Sequence, residues 1–368
     1  MSDVPPLRFP EFSGEWEKRT LEDVSEFSKE RMNTQNLSSD NYVATENMLH
    51  DYQGIIEASS VPTNTNVIKF NKGDVLLSNI RPYLKKVWFA DKNGGCSADV
   101  FVFKALSACI PDFLHYIIAN DRFINFAMSG AKGVKMPRGD KEQMKTYEIG
   151  LPSIEEQKKI AKLLSLLDER ITTQNKIIED LKLLKSAIRK KVFVSLKEEH
   201  TESCEINQLL TYEQPTAYIV TNDEYSTDTT LIPVLTANKG FVLGYTDEDF
   251  SIYQKGECII FDDFTMDAKY VSFPFKVKSS AIKILTAKPN VNLRFMFEYL
   301  SYLELKSEEH KRHYISEIAS LVVELPSKEM QNKIASLMTS LDNKLALEEN
   351  TKVKYEDEKQ YQLSQMFI

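Results

Sequence analysis

Two constellations in this chain have residue types and spacing that phosphodiester chemistry uses. Asp262-Asp263 with Asp267-Ala-Lys269 sets carboxylates beside a lysine, as a metal-dependent nuclease would to hold a divalent cation and steady a developing charge. Pro111-Asp112 with Glu156-Gln-Lys158 is a second such set, although its lysine falls on a long helical run, which argues against a shared site. His310 and His313, near Glu308 and Glu309, could offer metal ligands from one helix face; a solvated polar helix end accounts for the same residues. Cys96, Cys109, Cys204 and Cys258 are scattered and form no CxxC pair, so neither a zinc site nor a disulfide framework is expected. Reduced thiols fit a cytoplasmic protein. No GxxxxGK[ST] loop, GxGxxG turn or GxSxG elbow occurs, and no Asn/Asp-Pro-Pro-Tyr/Phe run of the kind that holds a target amine.

Cationic side chains offer another chemistry, contact with phosphate and base edges. The glycine-rich stretch Ser129-Gly-Ala-Lys-Gly-Val-Lys-Met-Pro-Arg-Gly-Asp-Lys141 carries Lys132, Lys135, Arg138 and Lys141, and glycine lets a backbone approach a groove closely. Arg81, Lys85 and Lys86 form a second cluster, with Arg81 before Pro82 and open to aiming at a guanine. Later candidates are Lys239, Lys269, Lys278 and Lys311-Arg312-His313. An ordinary solvated loop is the competing account of each. The net charge of −8 argues against a simple DNA-binding module. Residues 1–150 hold 18 basic and 20 acidic groups and residues 201–324 hold 11 and 19, so neither stretch is basic. If this chain holds DNA, its cations must gather on one face, or a partner must neutralise much of the phosphate charge.

The elements that would position these residues come in duplicate. Leu151-Pro-Ser-Ile-Glu-Glu-Gln-Lys-Lys-Ile-Ala-Lys-Leu-Leu-Ser-Leu-Leu-Asp168 returns as Leu325-Pro-Ser-Lys-Glu-Met-Gln-Asn-Lys-Ile-Ala-Ser-Leu-Met-Thr-Ser-Leu-Asp342, identical at 11 of 18 positions without a gap. Each copy reads as a helix start. Leu-Pro favours extended backbone, Ser153 and Ser327 stand at the N-cap, and Glu155 and Glu329 face the dipole. Glu156 should complete a capping box with Ser153, which Met330 cannot do for Ser327. The first run continues through Ile160, Leu163, Leu167, Ile171, Gln174, Ile178, Leu181, Lys185, Ile188 and Val192, a heptad with one stutter; forty helical residues span roughly 60 Å. The second keeps Ile334, Leu337, Leu341 and Leu345 before a polar middle dilutes it. The stretches after Pro152 and Pro326 are expected to lie side by side.

The globular parts match as well. Asn71–Leu77 corresponds to Gln254–Ile260, and Ser97-Ala98 with its following strand corresponds to Ser280-Ala281. After Pro111 and Pro289 come aromatic-rich helices, expected from about 112 to 128 and from about 293 to 304. Strands are expected at Val67–Phe70, Lys86–Phe89, Leu231–Leu235 and Tyr270–Val277. The fold class is therefore α+β: two similar mixed α/β domains joined by two long antiparallel helices acting as a coiled-coil spacer, a pseudo-twofold repeat. The expected segments are 1–150, 151–196, 197–324 and 325–368.

On these residues the chain resembles the specificity subunits of Type I restriction–modification systems. The resemblance rests on Leu7-Arg-Phe-Pro-Glu-Phe with Gly14-Glu-Trp16, the two Leu-Pro-Ser-x-x-x-Gln helix starts, Ile171–Phe193, and Phe261–Thr265 with Phe273–Ala281. It covers nearly the whole chain and departs most in the final helix. The resemblance implies two target-recognition domains, each reading half of a bipartite, asymmetric sequence on double-stranded DNA. It implies that the helices fix the half-site spacing and dock two modification (methyltransferase) subunits, with translocating restriction subunits completing the nuclease. It further implies that this chain is not itself an enzyme and binds no cofactor. S-adenosylmethionine would belong to the methyltransferase, and ATP and magnesium to the restriction subunit. A self-contained restriction endonuclease or methyltransferase on the same scaffold, and a coiled-coil adaptor unrelated to DNA, are the other readings.

Overall fold

The computed structural model describes residues 4–196, 201–236, 240–305 and 314–367. They form two compact units: residues 1–174 with 351–368, and residues 175–350. Helices, strands and two domains of one plan give the α+β class expected from the sequence.

In the first unit an antiparallel sheet runs in the order Ser25–Phe27, Val100–Ala105, Val75–Ser78, Val87–Phe89. The two middle strands are almost wholly apolar and buried, as strands covered on both faces must be. A second sheet runs Arg31–Asn33, Asn66–Phe70, Gly94–Cys96, Tyr42–Val43, its last pair parallel. Glycine is required here: a Cβ on Gly94 would lie 2.1 Å from the Asn41 carbonyl oxygen. In the second unit the corresponding sheets run Leu210–Glu213, Ile282–Ala287, Cys258–Asp262, Ala268–Val271, and Val242–Thr246, Ile232–Leu235, Lys276–Val277. The last pair is again parallel. The repeat therefore extends to strand order and direction in the first sheet and to the parallel pair of the second, which has four strands in one unit and three in the other.

Each unit closes its domain the same way. Glu17–Thr20 pairs antiparallel with Glu148–Leu151, and Glu202–Glu205 with Val322–Leu325. Such a ribbon ties the domain's entrance to its exit one proline before a long helix. Those helices are Ile154–Leu196 and Lys328–Met366. In the first unit Lys359 bonds Asp168 at 2.6 Å and Arg170 lies over the Tyr355 ring. In the second, Lys182 pairs with Glu349 at 3.0 Å and Lys185 with Asp342. Within each unit numbers rise on one helix as they fall on the other, so the pairing is antiparallel. The polar middle of the second helix is laced by ion pairs of its own, Lys344–Glu348 and Lys352–Glu356.

The structure corrects several expectations. An antiparallel pair cannot bring both helix starts together: residues after Pro152 pack on Leu363, Met366 and Phe367, and those after Pro326 on Ile188, Val192 and Phe193. Leu337 is 44% exposed while Met338 is buried, and Leu164 is buried more deeply than Leu163. Each helix must face both its partner helix and its own domain, so the buried stripe is wider than one heptad seam and takes Ile160, Ala161 and Leu164, or Ile334, Ala335 and Met338. Among the other expected packing residues Leu167 and Ile178 are buried, and Ile171, Leu181, Ile188, Leu341 and Leu345 are partly so. The run expected at 112–128 is two helices, Pro111–Ile118 and Asp121–Ser129, broken where the Asn120 side chain accepts from the Arg122 amide. Tyr270–Val277 likewise divides into strands of different sheets around Pro274. The Ser153 hydroxyl does accept from the Glu156 amide, but the Glu156 carboxylate turns inward to Arg8 at 2.7 and 2.8 Å and to the Trp16 indole.

Candidate nucleic-acid interface

The two cationic clusters of the first domain, recognised separately in the sequence, meet in the structure. Strand Val75–Ser78 ends at Ser78, whose hydroxyl donates to the Ile80 carbonyl at 3.0 Å. The chain then makes one 3-10 turn, Pro82–Leu84, bracketed by Arg81 (φ +52°) and Lys85 (φ +53°). Left-handed backbone is uncommon away from glycine and costs on the order of 1 kcal/mol, strain that tends to persist where a loop has a task. Loop 129–141 closes against this turn. Ile80 bridges Arg138, and the Arg81 amide donates to the Pro137 carbonyl at 2.8 Å. Lys132 and Arg138 exchange two backbone hydrogen bonds of 2.9 Å, making a short hairpin whose first turn residue, Gly133, sits at φ +97°.

The individual cations differ. Lys132 is 82% exposed and bonds Asp140 at 2.6 Å; that lysine, with two backbone amides, holds the Asp140 carboxyl below its ordinary range. Arg138, more than half exposed, stands 3.3 Å from Asp99. Exposed pairs of this kind are weak, so each cation can exchange its carboxylate for a phosphate. Lys135 is exposed at the hairpin tip. Lys141 lies 5.1 Å over the Phe27 and Phe101 rings, and Lys85 bonds Asp121 at 2.8 Å. Arg81 is partly buried, with its Nε enclosed and without a hydrogen-bond partner. Lys86 departs from the expectation. It is buried, donates to the Thr45 carbonyl at 2.7 Å and has its pKa lowered by desolvation, so it belongs to the domain interior.

The second domain presents fewer of its candidates. Lys269 is exposed on the edge strand Ala268–Val271. Lys278 is exposed beside the Tyr225 ring, 4.0 Å from Asp223. Lys239, Lys311, Arg312 and His313 lie outside the described residues, as do Glu308, Glu309 and His310. The carboxylates that resembled a nuclease set are engaged structurally. Asp262 caps the Phe264 and Thr265 amides at 2.8 and 3.2 Å. Asp263 forms a fully buried pair with Lys283 at 3.3 Å and accepts from the Tyr314 amide. The loop after the second core strand thus meets the segment after the aromatic helix in both domains. Among the described residues no three of His, Cys, Asp and Glu converge as a metal site needs. The four cysteines are buried and unpaired, and no described helix is long and apolar enough to cross a membrane.

Two features escaped the sequence reading. Tyr83, Val134 and Met136 expose large apolar surface beside the cations, Val134 completely; apolar residues inside a glycine-rich cationic loop were the available signal. The other is the glutamine of each helix start. Gln157 accepts from the Ile110 amide at 2.9 Å and donates to the Pro152 carbonyl. Gln331 accepts from the Asn292 amide at 2.8 Å and donates to the Pro326 carbonyl. Both are buried, and each locks a domain helix to a long helix.

Comparison with known proteins agrees with this plan. The family model described as "Type I restriction modification DNA specificity domain" matches residues 13–183 and 198–356. The chain is similar to the Type I restriction enzyme EcoR124I/EcoR124II specificity subunit of Escherichia coli, 39% identical over 142 residues, which are 37% of this chain and 35% of that one. It is also similar to the putative type I restriction enzyme MjaX specificity subunit of Methanocaldococcus jannaschii, 26% identical over 278 residues, 68% of this chain and 65% of that one. The matched stretches thus span about a third and just under two thirds of these relatives. Among solved structures, the S subunit of a Type I restriction-modification system from M. genitalium superposes with a TM-score of 0.66 at 17% identity, covering 99% of both chains. A chain from a study of complex assembly and conformational transition of the type I R-M system gives 0.56 at 18%, over 95% of this chain and 96% of that one.

Proposed function

Because the chain belongs to the Type I restriction modification DNA specificity domain family, we propose that it is the sequence-reading subunit of a restriction–modification complex. Each domain reads one half of a bipartite, asymmetric target in double-stranded DNA, and the two long helices set the half-site spacing. Two modification subunits dock on the chain and carry S-adenosylmethionine; restriction subunits bring ATP and magnesium. This chain binds none of these cofactors and acts in the cytoplasm as a non-catalytic subunit. The observation that carries the reading is the duplicated domain-plus-helix plan, matched by the family twice in one chain.

The segments follow the same logic: recognition domains at 1–150 and 197–324, helical segments at 151–196 and 325–368. Arg81, Lys85, Lys132, Lys135, Arg138 and Lys141 in the first domain contact DNA, as do Lys239, Lys269, Lys278 and Lys311-Arg312-His313 in the second. Cells expressing this chain with its modification subunits should carry N6-methyladenine at one split, asymmetric motif, read by methylome sequencing. Methylation scattered without such a motif would defeat the reading. Cleavage of DNA by the lone chain with magnesium would favour the self-contained enzyme instead.

A further inference from the structure

The hairpin closed by Lys132 and Arg138 has a composition that phosphate contact does not explain. Its tip places Val134 fully exposed and Met136 about half exposed, between Lys132, Lys135 and Arg138. A lone exposed apolar residue needs no account, but two on one tight ribbon, ringed by cations, point to a partner both charged and apolar. The ribbon is anchored at its base. Arg138 is bridged to Ile80, Gly139 donates to the Asn79 carbonyl, and a Cβ on Gly139 would lie 2.4 Å from the Met144 methyl. The major groove of B-DNA admits a two-stranded ribbon and displays the thymine 5-methyl, the one apolar group among its base edges.

We propose that Val134 and Met136 are specificity-determining residues of the first domain that read thymine methyl groups in the major groove. Lys132, Lys135 and Arg138 hold the ribbon there by contact with phosphates and neighbouring base edges. The assignment rests on the DNA-reading function above and adds to it a base and two side chains. Burying one methyl is worth about a fourfold change in affinity.

The test uses the chain assembled with its modification subunits. Bound DNA is selected from a random library and sequenced, and every thymine of the selected half-sites is then replaced singly by deoxyuridine. With the wild-type chain, one or two replacements, all in the same half-site, should each weaken binding about fourfold. Val134→Ser and Met136→Gln alter exposed positions, so the fold is retained; they should abolish the penalty at those thymines and relax selection there. Lys135→Ala should instead weaken all targets alike and lower the salt slope by about one. Deoxyuridine tolerated at every position, or an unchanged selected motif in both apolar variants, would overturn the proposal. A wild-type complex that selects no split sequence would overturn both this assignment and the function beneath it.

Discussion

Gln157 and Gln331 occupy the same place in the two repeats, and each satisfies a backbone amide and a carbonyl that burial has removed from water. Leucine has similar bulk and no polar atoms, so Gln157→Leu leaves Ile110 N–H and the Pro152 carbonyl orphaned. A buried unsatisfied group costs about 1–3 kcal/mol, so each substitution should lower unfolding stability by roughly 2–4 kcal/mol in a urea titration. A loss under half a kcal/mol would mean water reaches these groups. His115 makes a pH-dependent case. Burial first, and then Lys359, hold its pKa down to about 4 from the ordinary 6.5, and it stacks on Phe89 with its Nδ1 unpartnered. The unfolded chain therefore binds the extra proton between those values. The contribution is complete above pH 6.5 and is lost as pH falls toward 4. His115→Leu should flatten stability across that window without changing the alkaline side; a variant with the wild-type acid slope would assign the loss to other groups. At the surface proposed to meet DNA, Arg138→Ala should weaken binding or relax one half-site only. Lys86→Ala should reduce stability while leaving the salt dependence of binding unchanged, because its ammonium is already held by Thr45.

At the scale of elements, the helices repay attention to phase. Both are unbroken, at 43 and 39 residues, so a heptad can be removed without shifting the buried stripe. Deleting residues 176–182 together with 345–351, which lie between the Asp168–Lys359 and Lys185–Asp342 pairs and take the Lys182–Glu349 pair with them, shortens the pair by about 10 Å. The accepted half-site spacing should fall by about three base pairs while both half-site sequences persist, as read from a library of targets with varied spacers. Unchanged spacing would mean that something other than the helices sets it. The helices were legible because duplication repeated their first turns, and because no glycine or proline interrupts the heptads. The strands were legible where both faces are apolar, as in Val100–Ala105. Less legible was what depends on three-dimensional neighbours. Leu337 and Met338 are equally apolar, and only the docking of the domain behind the helix decides which is buried. Glu156 has the spacing of a capping box, yet a buried carboxylate beside Arg8 gains more from an ion pair. Lys86 counts as a cation in sequence and as a core residue in space.

For the molecule as a whole the deciding quantity is charge. Fifty-four acidic groups face 46 basic ones, and four cations of the second unit are held in internal ion pairs: Lys276 pairs with Glu248 and Lys283 with Asp263, while Arg189 and Arg294 pair with Glu298. These pairs hold the domain together and leave little positive field for a polyanion. The first domain does gather Lys132, Lys135 and Arg138 on one loop, but three exposed cations release few counterions. Sequence readers rely on phosphate contacts for much of their affinity, so under the proposed function most of those contacts come from the partner subunits. The isolated chain should therefore bind its own target weakly and with a shallow salt dependence. Adding the modification subunits should raise affinity by orders of magnitude and steepen the slope of log K against log salt, since each further phosphate contact adds about 0.9 to it. Fluorescence titration of one labelled target at several fixed salt concentrations, with and without the partners, measures both. Equal affinity and equal slope in the two cases would place the whole phosphate-binding surface on this chain, which its charge distribution does not support.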